Sequence, residues 1–306
     1  MISVVIPVFD EGQSLESFYK ELLSTLKGRE YEIIFIDDGS KDNSLNILKN
    51  FRKNNKSVRI FSFRRNQGKA EVLTFGFEKA KGEYIVTLDA DLQDKPSEIP
   101  KLLKKIEEGW NLVCGWRRNR KDPIFKVLSS RLFNLLVSFL WGSKLHDYNC
   151  GLKVYTKDAA KNLRLYGGMH RFIPLLAYQE GFMITEVEVE HQSRKHGKSK
   201  YGLSKIWRDI PDMFTMLFLM RYRNRPLHFF GFIGASLLII GILILGYLSV
   251  LRFEGEVVGR RPLLFFGMLL VLSGLQVFFT GFLADLMINL SQNNSKEPLL
   301  KYSSDQ

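Results

Sequence analysis

The spacing of apolar positions switches between two periods along the first half of the chain. "ISVVIPV" is a short β-branched run that reads as a buried strand, and helical spacing takes over from Leu15 to Leu26. The same exchange repeats three times. "YEIIFIDD" leads into a helix over Leu45–Phe51, "VRIFSF" into one over Ala70–Ala80, and "EYIVTLD" into one running from Pro96 to Glu108. "NLVCG" is then a fifth strand. This alternation predicts an open, mainly parallel α/β sheet.

The second half has a different pattern. Leu227–Leu251 is uncharged and mostly apolar, with a single His228, and Pro262–Ala284 is a second uncharged run. Each exceeds the ~20 residues a helix needs to cross a bilayer. The ten residues "RFEGEVVGRR" between them predict a hairpin loop, so the two runs, to about residue 287, form a transmembrane pair. Ile2–Val8 is too short for a signal peptide and is followed at once by charges. Ile124–Trp141 and Leu203–Met220 are also apolar at helical spacing, but shorter. In the second, Leu203, Ile206, Trp207, Ile210, Phe214 and Leu217 share a face, with a kink expected at Pro211. Both read as helices lying in the membrane interface. The expected organisation is a catalytic domain over 1–202, a juxtamembrane helix over 203–226, the spans over 227–290 and a tail over 291–306.

Charge sharpens that picture. The 306 residues carry a net +12, and nine Lys/Arg against two Asp lie between Arg194 and Arg225. Basic residues just before a span favour the cytoplasmic side and attract anionic headgroups, which places the first domain in the cytoplasm and the chain in the inner or plasma membrane. Because the charge sits against the spans, membrane lipid is the expected partner and nucleic acid is not. Cys114 and Cys150 have neither metal-ligand spacing nor a disulfide framework.

The candidate chemistry lies at the strand ends, where ligands of such sheets bind. Glu11 follows the first strand, Asp37 and Asp38 the second, Asp89 and Asp91 the fourth. Neither a G-x-G-x-x-G nor a G-x-x-x-x-G-K-[ST] is present, which argues against an ordinary dinucleotide site or a P-loop. Asp89 and Asp91, flanking one small residue, can converge on Mg²⁺ or Mn²⁺ shared with substrate phosphates, with Gln93 as a neutral third oxygen.

"VVIPVFDE", "IDDGSKDNS", "RNQGK", "DADLQD" and "HGKSKYG", in this order, resemble the family 2 glycosyltransferases of the GT-A fold. More narrowly they resemble the polyprenyl-phosphate group, which includes dolichyl-phosphate mannose synthases and GtrB-type glucosyltransferases. The resemblance implies that Pro7, Phe9, Glu11, Ile36 and Asp38 line the base and ribose, with Lys69 also on the nucleotide-sugar. It implies that Asp89, Ala90, Asp91 and Gln93 form the metal and diphosphate motif. Arg117, Arg131, Arg194 and Lys200 match basic positions for donor and acceptor phosphates, and Lys198 falls on the acceptor side. "LADLM" after Gly281 departs from the "LGEYIGR" common in the GtrB-like chains.

The acceptor implied is a polyprenyl phosphate, undecaprenyl or dolichyl. Such a monoester is already ionised near pH 7, its second pKa being ~6, so no strong general base is needed. The site must instead hold two anions close together. Arg131, on the interfacial segment, is expected at the acceptor phosphate, and Arg194, in a basic loop that closes over the donor, at the nucleotide-sugar. Asp147 stands where relatives with hydroxyl acceptors carry a base; here it orients the acceptor or pairs with an arginine. His170 and Arg171 are divided between site and scaffold, and His146 and His191 read as structural or exposed. UDP-glucose is the favoured donor, with GDP-mannose next, and transfer is expected to invert. Paired spans make self-association an expectation too. A processive polysaccharide synthase would carry Q-x-x-R-W and more spans. A transferase with a non-lipid acceptor leaves the interfacial segments unexplained. A non-catalytic nucleotide-binding scaffold leaves the acidic and basic residues unexplained.

Overall fold

The computed structural model describes residues 1–118, 145–192, 225–259 and 261–292, with 218 and 222 besides; for 289, 291 and 292 only the backbone is described. The chain divides into two compact units, Met1–Met213 and Phe214–Gln306.

The first unit is built on seven strands: β1 (Ile2–Val8), β2 (Tyr31–Asp37), β3 (Val58–Ser62), β4 (Tyr84–Thr87), β5 (Leu112–Trp116), β6 (Lys153–Thr156) and β7 (Ile184–Glu188). Their order across the sheet is β3-β2-β1-β4-β6-β5-β7. β1 pairs in parallel with β2 and β4, and β2 with β3, as the alternating pattern predicts. β6 runs antiparallel to both β4 and β5, which makes the sheet mixed. The apolar pattern did not reveal β6 and β7. β6 is four residues long and includes a lysine, and β7 (ITEVE) alternates in only five residues.

Val4, Val5 and Ile6 of β1 are fully buried, as expected of a central strand covered on both faces. Helix α1 (Leu15–Leu26) turns Leu15, Phe18, Tyr19, Leu22 and Leu26 inward at helical spacing. Helices α2 (Ser44–Asn54) and α3 (Lys69–Lys79) follow β2 and β3. The helix expected from Pro96 to Glu108 is a 3₁₀ turn, Pro96–Glu98, followed by α4 (Ile99–Ile106). Ile99, Leu102, Leu103 and Ile106 are its buried stripe, each contributing about 2 kcal/mol by leaving water. Helix α5 (Lys157–Asn162) is capped by Thr156, whose hydroxyl accepts from the Ala159 amide at 3.3 Å. Helix α6 (Ile173–Gln179) completes the unit among the described residues.

The second unit holds α7 (Pro226–Phe253) and α8 (Pro262–Gln292), both long and apolar enough to cross a membrane. Their large side chains are widely exposed, among them Phe232 (76%), Leu243 (67%) and Leu272 (67%), so they are not core helices. The two helices meet through glycine. A Cβ on Gly234 would lie 2.8 Å from the Gly274 carbonyl oxygen and 2.7 Å from the Phe278 amide nitrogen, so the backbones approach as only glycine permits. Gly267, Gly274 and Gly281 recur every seven residues along that contact, facing Leu245, Leu238 and Phe230.

Candidate active site

The acidic residues follow the ends of β1, β2 and β4, and each makes different contacts. After β1, the turn Asp10–Gly12 is tied to the loop after β2. The Asp10 amide donates to Ser40 Oγ (2.9 Å), the Glu11 amide to Ser44 Oγ (3.0 Å) and the Gly12 amide to Asp42 (2.9 Å). Asp10 has φ 51°, a left-handed conformation that costs a non-glycine residue about 1 kcal/mol or more. Pro7 pairs with Ile36 across the sheet, and Phe9 and Glu11 are half-buried beyond it.

Two of the expected base and ribose residues face inward. Ile36 is fully buried and packs on α3 at Gly76, where a Cβ would come within 2.9 Å of Ile36 Cδ1. Asp38 is 5% exposed and accepts from the amides of Gln67 (2.7 Å) and Gly68 (3.1 Å). Burial raises its pKa against those two bonds. Its carboxylate thus fixes the "RNQGK" loop, which carries Lys69. Gly39, at φ 73°, lets this loop press close: a Cβ there would lie 2.8 Å from the Arg65 backbone.

β4 ends at Thr87, and the chain turns through Asp89, Ala90, Asp91 and Gln93. Leu92 lies at φ 59°, and Asp91 Oδ1 accepts from the Gln93 amide at 3.1 Å, so a side chain braces a strained turn. Ala90 is buried. Both oxygens of Asp89 accept from Lys69 Nζ, at 2.6 and 2.7 Å. Burial alone would raise the Asp89 pKa, but Lys69 first and then Lys153 hold it below the usual carboxylate range. Gly151 closes the other side: a Cβ there would lie 2.7 Å from Asp89 Oδ2 and 3.0 Å from Asp94 Oδ2.

Asp94 and Lys153 carry parts of this site that the sequence reading left out. Asp94 is 3% exposed and accepts from the amides of Gly151 (3.1 Å) and Leu152 (3.3 Å), joining the carboxylate turn to the lead-in of β6. Lys153 is 3% exposed, donates to the Cys150 carbonyl and adds positive charge behind Asp89. A lysine inside the apolar run "LKVYT" was the available signal. The backbones of Asp94 and His191 form an isolated antiparallel β-bridge, and the Gln192 amide donates to the Gln93 carbonyl at 2.9 Å. The chain entering the basic stretch 193–200 is therefore rooted on the carboxylate turn.

Arg117 and Asp147 are paired with each other. Arg117 Nε lies 2.7 Å and Nη2 3.1 Å from the two Asp147 oxygens, with both side chains below 10% exposure. Of the alternatives for Asp147, the arginine pair is the one seen. His170 lies beside Asp89 and Lys69, and its Nδ1 is buried with no hydrogen-bond partner among the described residues. Burial, then the Lys69 and Arg171 cations, push its pKa down to about 3, so the ring is neutral at ordinary pH. His146 is exposed, stacks on Trp116 at 4.3 Å and contacts Glu186, and His191 is buried. Cys114 and Cys150 are buried free thiols, and burial pushes Cys114 up to about 12. Arg131, Arg194, Lys198 and Lys200 lie outside the described residues, as do the segment Ile124–Trp141, nearly all of Leu203–Met220 and residues 293–306.

The chain is similar to known proteins in sequence and in fold. The "Glycosyl transferase family 2" model matches residues 3–164. A dodecaprenyl-phosphate galacturonate synthase from Rhizobium johnstonii is 38% identical, over 97% of this chain and 90% of its own length. An undecaprenyl-phosphate 4-deoxy-4-formamido-L-arabinose transferase from Pseudomonas fluorescens is 34% identical over 93% and 83%. Among solved structures, glucosyl-3-phosphoglycerate synthase from Mycobacterium tuberculosis in complex with UDP aligns with TM-score 0.56 at 20% identity, over 72% of this chain and 79% of that one. The same synthase with Mn²⁺, UDP-glucose and glycerol 3-phosphate aligns with TM-score 0.55 at 20% identity, over the same shares. The mixed sheet is that of the GT-A fold. The chain belongs to glycosyl transferase family 2.

Proposed function

We propose that the chain transfers a sugar from a UDP-sugar to a polyprenyl phosphate, releasing UDP. The observation that carries this is the 38% identity to the dodecaprenyl-phosphate galacturonate synthase over 97% of the chain. So long a match takes in both the carboxylate turn and the two apolar helices. The catalytic unit faces the cytoplasm, where nucleotide-sugars are made, and α7 and α8 span the membrane that holds the acceptor's tail.

Asp89, Asp91 and Gln93 offer hard oxygen donors to Mg²⁺ or Mn²⁺, and the Asp89 side chain is 34% exposed, so an ion can reach it from solvent. When bound, such an ion neutralises charge on the departing diphosphate. The chain's own cations, Lys69 and Lys153, add to that field. An acceptor phosphate oxygen forms the new bond to the anomeric carbon as the bond to the diphosphate oxygen breaks. The electron pair leaves with UDP. No proton need be removed from the nucleophile, which fits an Asp147 committed to Arg117 in a buried pair. A single displacement of this kind inverts the anomeric centre. Arg131 and Lys198 remain the residues proposed for the acceptor phosphate, and Arg194 and Lys200 for the donor.

The donor sugar follows from a direct comparison. UDP-glucose and GDP-mannose are the sequence-based candidates; the relatives' names add galacturonate and 4-deoxy-4-formamido-L-arabinose. Purified protein given polyprenyl phosphate and each nucleotide-sugar in turn should form a lipid-extractable product with one UDP-sugar well ahead of the rest. Turnover with GDP-mannose alone would remove the UDP assignment.

A further inference from the structure

Lys69 is the first residue of α3, delivered by a loop that Asp38 holds through two amides. Its ammonium bonds both Asp89 oxygens, and the two side chains are 32% and 34% exposed, so the pair can be reached from solvent. A carboxylate gripped through both oxygens presents to Lys69 the edge it would present to a divalent ion. Metal–oxygen distances of ~2.1 Å for Mg²⁺ and an ammonium at hydrogen-bond distance cannot share one edge without strong like-charge repulsion. Among the described residues, no group of three or more His, Cys, Asp or Glu could hold a metal. An ion arriving without nucleotide thus meets few protein ligands and a cation already in place. An ion arriving with a diphosphate brings extra oxygen ligands, and its negative charge gives the released ammonium a new partner.

We propose that Lys69 is a resident counter-cation of Asp89 that yields its place only to metal and donor diphosphate together, making their binding mutually dependent. This rests on the reading of Asp89 as a metal ligand given under Proposed function. By linkage, whatever UDP does for metal affinity, metal does equally for UDP affinity. Removing the lysine charge should weaken that coupling from the metal side, by relieving competition at Asp89.

The test is Mn²⁺ binding to the full chain in detergent micelles, read from the electron paramagnetic resonance of free Mn²⁺ with and without UDP. Wild type should bind Mn²⁺ weakly alone and about tenfold or more tighter with UDP, within the usual range of coupling energies. Lys69→Met should bind Mn²⁺ alone about tenfold tighter than wild type, with the UDP effect shrunk by a similar factor. Lys69→Gln carries the same expectation should the methionine variant not fold, and Lys69→Arg, which keeps the charge, should behave as wild type. Equal Mn²⁺ affinity in wild type and Lys69→Met without UDP, with UDP tightening both alike, overturns the role of Lys69 and leaves the metal-dependent transferase intact. No Mn²⁺ binding by either protein even with UDP overturns both.

Discussion

Arg117 clasps Asp147 at two points, 2.7 and 3.1 Å, across thirty positions of sequence and with both side chains nearly out of water. A buried pair of this kind has little net value as a pair, but losing one partner strands the other charge. Arg117→Ala and Asp147→Ala should each lower stability by about 3–5 kcal/mol in denaturant titrations of the full chain. The double variant should lose much less than the sum. Strict additivity would mean that the two groups do not depend on each other.

Glu32 should shape the acid limb of stability. It is 6% exposed and accepts from Ser3 Oγ (2.6 Å), the Lys81 amide (2.7 Å) and Arg59 (2.7 Å). Burial raises its pKa, but these bonds outweigh burial and leave it below the ordinary 4.5. The stability it contributes is therefore complete above the unfolded value and is lost as pH falls through the lower folded one. Glu32→Gln should flatten the decline of stability below about pH 4.5 and cost stability at pH 7. An unchanged acid limb in the variant would count against this assignment.

Much of the site was legible because apolar runs of five to seven residues mark buried strands, and the residues just past their carboxyl ends lie at the binding edge. That put Glu11, Asp38, Asp89 and Asp91 just past strand ends, as candidates, from the sequence alone. Side-chain direction was not legible. Ile36 and Asp38 fall at the right strand end yet turn into the packing, because a strand alternates faces and a loop amide can claim a carboxylate as readily as a ligand can. Long-range partners were not legible either. Nothing local to Lys69 announces Asp89, twenty residues on, and β6 announces itself only through the pairing of Thr87 with Lys153.

The glycines between α7 and α8 should divide sharply by contact. Gly274 faces the Gly234 carbonyl and the Leu238 amide, whereas nothing lies within 4 Å of a Cβ on Gly246. Gly274→Leu should lower the thermal midpoint in detergent, at a cost of about 1–3 kcal/mol or more for overpacking, and Gly246→Leu should not. Equal effects would show that the helices do not meet through this seam in the membrane.

The loop between the two helices should be extracytoplasmic. Val257 is 69% exposed there. In a background with Cys114 and Cys150 replaced by serine, Val257→Cys should react with a membrane-impermeant maleimide only from the outer face of intact spheroplasts. Labelling only in inverted vesicles would reverse the orientation.

The most direct measurement of the central claim tracks both products together. Full-length protein, undecaprenyl phosphate, Mn²⁺ and the preferred UDP-sugar should yield UDP and organic-extractable undecaprenyl-phosphate-sugar in equal amounts, identified by mass. Asp91→Asn and excess EDTA should each reduce both signals by about two orders of magnitude or more, as expected when charge stabilisation of the leaving group is lost. UDP released at the same rate with lipid phosphate absent, or sugar recovered on a water-soluble acceptor, would contradict a polyprenyl-phosphate sugar transferase.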